Sequence, residues 1–168
     1  MQNVWQPLAE ADLDAVMALA ACAHPTFPER REVFAEKRAL FPSGALRLTA
    51  AADAQGGISG YAFAHPWVES RLPKLDHFLG ALPAAPNCLY LHDCVVAPHA
   101  RGRNASGDLI DHLRSLARAA SLPQLTLIAV YGSEAAWMRH GFRPVDWPEA
   151  NETLAGYGHG ARLLAAMV

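Results

Sequence analysis

Apolar residues along this chain recur with two different periods. Over 11–23, Leu13, Val16, Met17 and Ala20 return every three or four residues, and Asp12 and Asp14 stand near the start, where a helix dipole favours carboxylates. The spacing predicts a helix that Pro25 and Pro28 end. A second helix is expected over 29–41, with Val33, Phe34, Ala35 and Leu40 on one side, charges on the other and FPSG closing it. VWQPL at 4–8 reads as an edge strand, because Pro7 cannot donate in a central ladder. The period then changes: 45–53 and 58–67 read as strands joined by the hairpin turn AQGG, and CLYLHDCVVAP at 88–98 is the strongest strand. Residues 68–87 read as a loop with one helical turn near 74–81.

Leu109, Ile110, Leu113, Leu116 and Ala117 mark an amphipathic helix over 105–120. QLTLIAV at 124–130 is a buried strand, 133–141 a short helix ended by Gly141, 142–145 a strand start, 146–160 a loop and 161–168 the last strand. The order β-α-α-β-β-β-α-β-α-β-β predicts an α/β fold: one mixed sheet with helices on both faces, in a single domain spanning 1–168.

Composition narrows the function classes. With 168 residues and 52% hydrophobic content the chain can bury a core of its own. A net charge of -2, from 14 Lys and Arg against 16 Asp and Glu, gives no general attraction to nucleic acid or to a membrane, so an anionic ligand must be held by local geometry. Cys22, Cys88 and Cys94 form no CxxC pair, and the eight histidines form no HxH or HxxxH pair. Neither a disulfide framework nor a metal site is expected. The opening MQNVWQPLAEADLDAV lacks the basic-then-apolar pattern of a signal peptide, and no apolar run reaches a membrane-spanning length, so a soluble cytoplasmic protein is expected.

The stretch VVAPHARGRNASGDLIDHL at 95–113 carries candidate chemistry. A strand that runs onto a helix N-terminus offers unpaired backbone N–H groups and a partial positive charge, which suits a pyrophosphate. Arg101 and Arg103 add charge. Asn104 tolerates a left-handed backbone, Ser106 is small with a donor hydroxyl, and Gly107 follows. A plain strand-to-helix turn with two solvated arginines reads equally well from spacing alone, and Asp108 and Asp111 compete for the same positive end.

VAPHARGRNAS resembles the acetyl-coenzyme A loop of the GNAT N-acetyltransferases, whose pattern is Arg or Gln, two residues, Gly, one residue, then Gly or Ala. Arg101 matches the first position, while Asn104 and Ser106 stand at the two small ones. GYAFAHPW, LYLHDCVVAP and GSEAAWMRHGF follow in the order and spacing of one bacterial branch of that family. The resemblance implies acetyl-CoA as acyl donor, with no metal, bound where strands 88–96 and 124–130 splay apart. It assigns the pantetheine arm to the backbone of Cys94, Val95 and Val96, and the phosphates to Arg101, Gly102, Arg103, Asn104, Ala105 and Ser106.

It also implies a base. His92 matches a histidine that some relatives use to take the proton of a protonated amine, and a neutral imidazole near its reference pKa suits that task. Strand alternation places Tyr90, His92, Cys94 and Val96 on one face and Leu91, Asp93 and Val95 on the other, with Tyr90 as an alternative polar group at the cleft. Trp137 stands where many relatives have an acidic tyrosine; its indole N–H donates but is no usable acid. Ser133, Tyr131 or Tyr157 could protonate the leaving thiolate instead.

The acceptor site is expected between 22–32, the loop after His65 and 146–160, where Glu29, Glu69, Glu149 and Glu152 lie among aromatic residues and would favour a cationic amine. The implied function is acetyl transfer to a primary amine, on a small molecule or a protein, by a monomer or homodimer. A non-catalytic acyl-CoA-binding or regulatory module is the alternative, motivated by the missing tyrosine and the two altered loop positions.

Overall fold

The computed structural model describes residues 4–50, 53, 57–69, 71–102 and 104–168. In these residues the chain forms strands β1 (Val4–Pro7), β2 (Ala45–Thr49), β3 (Gly60–Trp67), β4 (Cys88–Val96), β5 (Gln124–Ala129), β6 (Arg143–Pro144) and β7 (Arg162–Met167). The helices are α1 (Leu13–Ala23), α2 (Arg31–Leu40), α3 (Ala105–Ala119), α4 (Glu134–Met138) and α5 (Asn151–Ala155). The sheet order is β1-β2-β3-β4-β5-β7-β6. β4 and β5 run parallel while the other described neighbours are antiparallel.

Helices cover both faces, as the two apolar periods require. On one face α3 buries Leu109, Ile110, Leu113 and Ala117 against Leu89, Leu91, Leu125 and Leu127. On the other, Leu13 and Val16 of α1 and Phe34 of α2 pack on Tyr61, Phe63 and Val95. Each buried Leu, Ile, Val or Phe contributes about 1.5–3 kcal/mol of transfer free energy, which outweighs the weak intrinsic propensity of such short helices.

The structure departs from the pattern-based expectations in three places. The helical turn near 74–81 does not form; the described part of 68–87 is a loop pinned from outside, with Arg30 Nε donating to Asp76 Oδ2 at 2.9 Å and the N–H groups of Leu79 and Gly80 donating to Glu36. Residues 146–160, expected as loop, contain a 3-10 turn at Pro148–Ala150, which buries Ala150 beside Tyr90 and Leu163, followed by helix α5. β2 stops at Thr49, because Asp53 folds back to accept from the Ala50 N–H at 2.6 Å and the Ser59 hydroxyl at 2.5 Å. Of the expected turn AQGG, residues 54–56 lie outside the described residues.

Candidate active site

Two irregularities open the middle of the sheet. The first is a bulge in β4: Phe63 pairs with Asp93 and Ala64 with Leu91, so His92 is an extra residue with no partner on β3. The second is the parting of β4 and β5, whose pairing runs from Leu89–Leu125 to Leu91–Leu127 while both strands continue beyond it. A cavity of about 580 Å³ lies at that parting, lined by His92 to Val95 of β4, Leu127 and Ile128 of β5, and the loop between α1 and α2.

The bulge overturns the expected alternation. An extra residue breaks the period of two, so His92 and Asp93 both reach partners on the α1–α2 side of the sheet instead of pointing to opposite faces. The His92 imidazole, with no exposed surface, has Nε2 at 2.8 Å from Glu29 Oε1. Asp93 accepts a hydrogen bond from the Tyr61 hydroxyl at 2.6 Å and lies 2.9 Å from His24 Nε2. Two carboxylate–imidazole pairs therefore stand side by side on one wall. Sequence reasoning missed His24 and Tyr61, and it had Glu29 as an acceptor-site carboxylate and not as the partner of His92; a single extra residue in a strand leaves no periodic signal to find them by.

Electrostatics sets the charge state of this wall. Burial works to raise the Glu29 pKa, but the charge and hydrogen bond of His92, the Lys37 ammonium and the Asp76 N–H outweigh it and hold the carboxyl down at about 2. Burial opposes the charged form of His24, yet the hydrogen bond and charge of Asp93 prevail and raise its pKa. Burial, with Asp93 beside it, pushes the Tyr61 phenol far up, so it remains a donor. His65, on the neighbouring strand, has no carboxylate partner; burial and the neighbouring His92 lower it to about 3.

The cavity brings together some of the anticipated residues and leaves others aside. His92, Cys94, Val95, Arg101, Ser106, Ser133 and Trp137 line it, as do Tyr131 and Tyr157. Tyr90, placed at the cleft by alternation, is instead buried against Leu72, Ala150 and Leu163. Its hydroxyl and that of Tyr157 sit close enough to perturb each other, though without hydrogen-bond geometry. Trp137 packs its ring edge-on to Phe142 at 5.8 Å while touching the cavity, so it serves both core and wall. Of the four acidic residues expected around an acceptor, Glu29 alone lines the cavity. Glu69 binds Gln124, and Glu152 pairs with Lys74 on the surface.

The loop before α3 takes the shape its residues permit. Gly102 has φ 78° and Asn104 has φ 59°, both left-handed, and Asn104 is the residue from which α3 starts. The Asn104 side chain lies over the first helical turn, donating from Nδ2 to Asp108 Oδ1 at 3.0 Å. A Cβ on Gly107 would come within 2.4 Å of Asn104 Oδ1, so a glycine there makes room for the asparagine. Ala105 is buried, Trp5 donating to its carbonyl at 2.8 Å, and Arg101 donates from Nε to the Val96 carbonyl at 2.9 Å. Arg103 lies outside the described residues.

Comparison with known proteins resolves what this arrangement belongs to. The sequence model of the acetyltransferase (GNAT) family matches residues 13–142. This chain is a member of that family. No curated protein matched it by sequence. Among solved structures it is similar to a chain of the NatC complex bound to Gag peptide and CoA, at 14% identity and TM-score 0.75, covering 100% of this chain and 99% of that one. It is also similar to the GphF GNAT-like decarboxylase in complex with isobutyryl-CoA, at 16% identity and TM-score 0.74, with 98% of each chain covered. The ribosomal-protein-S18-alanine N-acetyltransferase from Escherichia coli is similar at 17% identity and TM-score 0.64, covering 99% of this chain and 94% of that one. At these identities the likeness speaks to the GNAT fold.

A CoA-type cosubstrate fits the residues present. Among the described residues no side chain caps α3, so its first-turn N–H groups remain free for phosphate oxygens, and the left-handed Asn104 does for the chain path what a glycine does. The described residues hold no group of three or more His, Cys, Asp and Glu arranged for a metal ion, and no helix long and apolar enough to cross a membrane. Cys22, Cys88 and Cys94 are free thiols.

Proposed function

We propose that this GNAT protein is an N-acetyltransferase that moves an acetyl group from acetyl-CoA to a primary amine by direct attack in a ternary complex. One observation carries the reading: an ionised carboxylate paired with an imidazole on the bulged strand, beside the cavity at the parting of β4 and β5. Bound acetyl-CoA would supply an activated acyl thioester, with its phosphates on the first turn of α3, Arg101 and Ser106, and its arm along Cys94, Val95 and Val96.

The chain's own groups account for the proton. Glu29, ionised, accepts from His92 Nε2–H and so fixes the tautomer, leaving the lone pair on Nδ1, a buried atom with no other partner among the described residues. Because the imidazole is shielded, a bridging water carries the amine's proton to it, and Glu29 stabilises the imidazolium that forms. The bulge leaves backbone N–H groups outside the ladder, the kind of donor that steadies charge on an acyl oxygen. Burial raises the Tyr157 pKa, keeping its phenol protonated and able to donate to a departing thiolate; Ser133 and Tyr131 line the same cavity.

The test is release of free thiol from acetyl-CoA against an amine panel, run beside calorimetry with the coenzyme. Transfer to an amine, lost in His92→Ala together with the acidic limb of the pH profile, is expected. Binding of the coenzyme with transfer to no amine would make the protein a non-catalytic acyl-CoA-binding module instead.

A further inference from the structure

Four aromatic rings form a continuous run along the acceptor end of the cavity. His24 stacks on Tyr131 with centroids 5.7 Å apart and planes 10° from parallel; Tyr131 meets Phe27 at 5.4 Å, and Phe27 meets Tyr157 at 5.7 Å. All four line the cavity, and they come from three separate stretches: the α1–α2 loop, the turn after β5 and the segment after α5.

Tyr131 is held there against its backbone preference. Its φ is 54°, an uncommon conformation for a bulky side chain, and Gly132 follows at 71°. The Thr26 hydroxyl at 3.0 Å from the Tyr131 hydroxyl, together with the stack on His24, compensates for that strain. Even so the tyrosine is 56% exposed, so its ring is presented to whatever enters.

The charged groups on this wall are two carboxylate–imidazole pairs. Glu29 and Asp93 are the carboxylates lining the cavity, paired with His92 and His24, and His140 lines it just after α4. Arg101 and Arg139 also line the cavity, but they belong to the loop before α3 and the end of α4. Ring faces beside carboxylates attract a cation with a flat apolar body, and the same carboxylates repel an anion.

Resting on the acetyltransferase reading, we infer that the acceptor is a small primary amine with an aromatic body and no carboxylate, seated against Phe27, Tyr131 and Tyr157 with its ammonium toward Glu29. The cavity has to take the end of the coenzyme arm as well, which leaves room for a body of about one or two rings.

The test compares kcat/KM for 2-phenylethylamine, phenylalanine, ethanolamine and a tripeptide with an N-terminal phenylalanine, using the full chain and saturating acetyl-CoA. 2-Phenylethylamine should lead each of the others by about tenfold or more, the equivalent of about 1.4 kcal/mol. In Tyr131→Leu its lead over ethanolamine should shrink toward one, through KM, whereas Tyr131→Phe should keep the lead. Phe27→Leu, which leaves the left-handed backbone untouched, should shrink it as well. Equal or better use of phenylalanine, ethanolamine or the tripeptide, or a lead that survives both leucine variants, overturns the inference alone. Transfer to no amine while calorimetry shows coenzyme binding overturns the acetyltransferase reading and this inference with it.

Discussion

The loop before α3 and the bulged wall of β4 are built from different materials. In the proposed reading the loop works through main-chain N–H donors, which any residue but proline supplies provided the chain can bend left-handed at 102 and 104; Gly102 and Asn104 both do. The wall would work through the side chains of His24, Glu29, His92 and Asp93, from two segments far apart in the chain. A backbone site tolerates substitution as long as its path survives. A side-chain site loses its chemistry with any one member, because each carboxylate orients its imidazole.

The largest expected effects fall on the wall. His92→Ala and Glu29→Gln should each lower kcat by about 10²-fold or more, the range for a general base. The double variant should be little worse than either single one, since the pair acts as a unit. Additive losses in steady-state kinetics would separate the two residues and dissolve the pair.

Stability should fall in acid, and the wall explains the sign. The unfolded chain protonates a histidine below about its ordinary 6.5, but native His65 resists until about 3. It likewise protonates Glu29 near 4.5, while the native carboxyl resists until about 2. In both windows the unfolded state binds more protons, so the stability that these two groups contribute is fully present above 6.5 and declines as pH falls, while His24, whose pKa is raised, contributes in the opposite sense near neutrality. Urea midpoints followed from pH 7 to 4 should show the decline, and His65→Leu should remove its upper part. A midpoint flat between 6.5 and 4.5 would mean that His65 titrates normally.

The loop should respond more mildly. Asn104→Ala forces an ordinary side chain into a left-handed position at about 1–2 kcal/mol, so the coenzyme KM should rise several-fold while the amine KM holds. Asn104→Gly should leave both near their starting values. Arg101→Ala, which removes an exposed guanidinium tied to the Val96 carbonyl, should raise the coenzyme KM by a few-fold at most, consistent with about 0.2–1 kcal/mol for exposed charge contacts. Equal shifts in the two KM values would separate this loop from the coenzyme.

Hydrophobic spacing specified α1, α2, α3 and the strands, because one buried face repeats every 3.6 or every two residues. The composition of 97–107 was enough to expect a left-handed entry into α3. The helical turn at 74–81 failed for the opposite reason: contacts from Arg30 and Glu36, remote in sequence, hold that segment as a loop. α5 escaped notice because five residues are too few to display a period; its half-buried Leu154 packs against the cluster of Tyr90 and Leu163.

By itself, then, the sequence determined the main helices and strands, since their periods are local to a few neighbouring residues. Only the tertiary structure decided which side chains meet at the site. One unpaired residue in β4 turned His92 and Asp93 to the same side, and the folding of the α1–α2 loop over that strand brought Glu29 and His24 within hydrogen-bond distance of them. Contacts of that kind depend on the register of distant segments, which no local pattern of residues encodes.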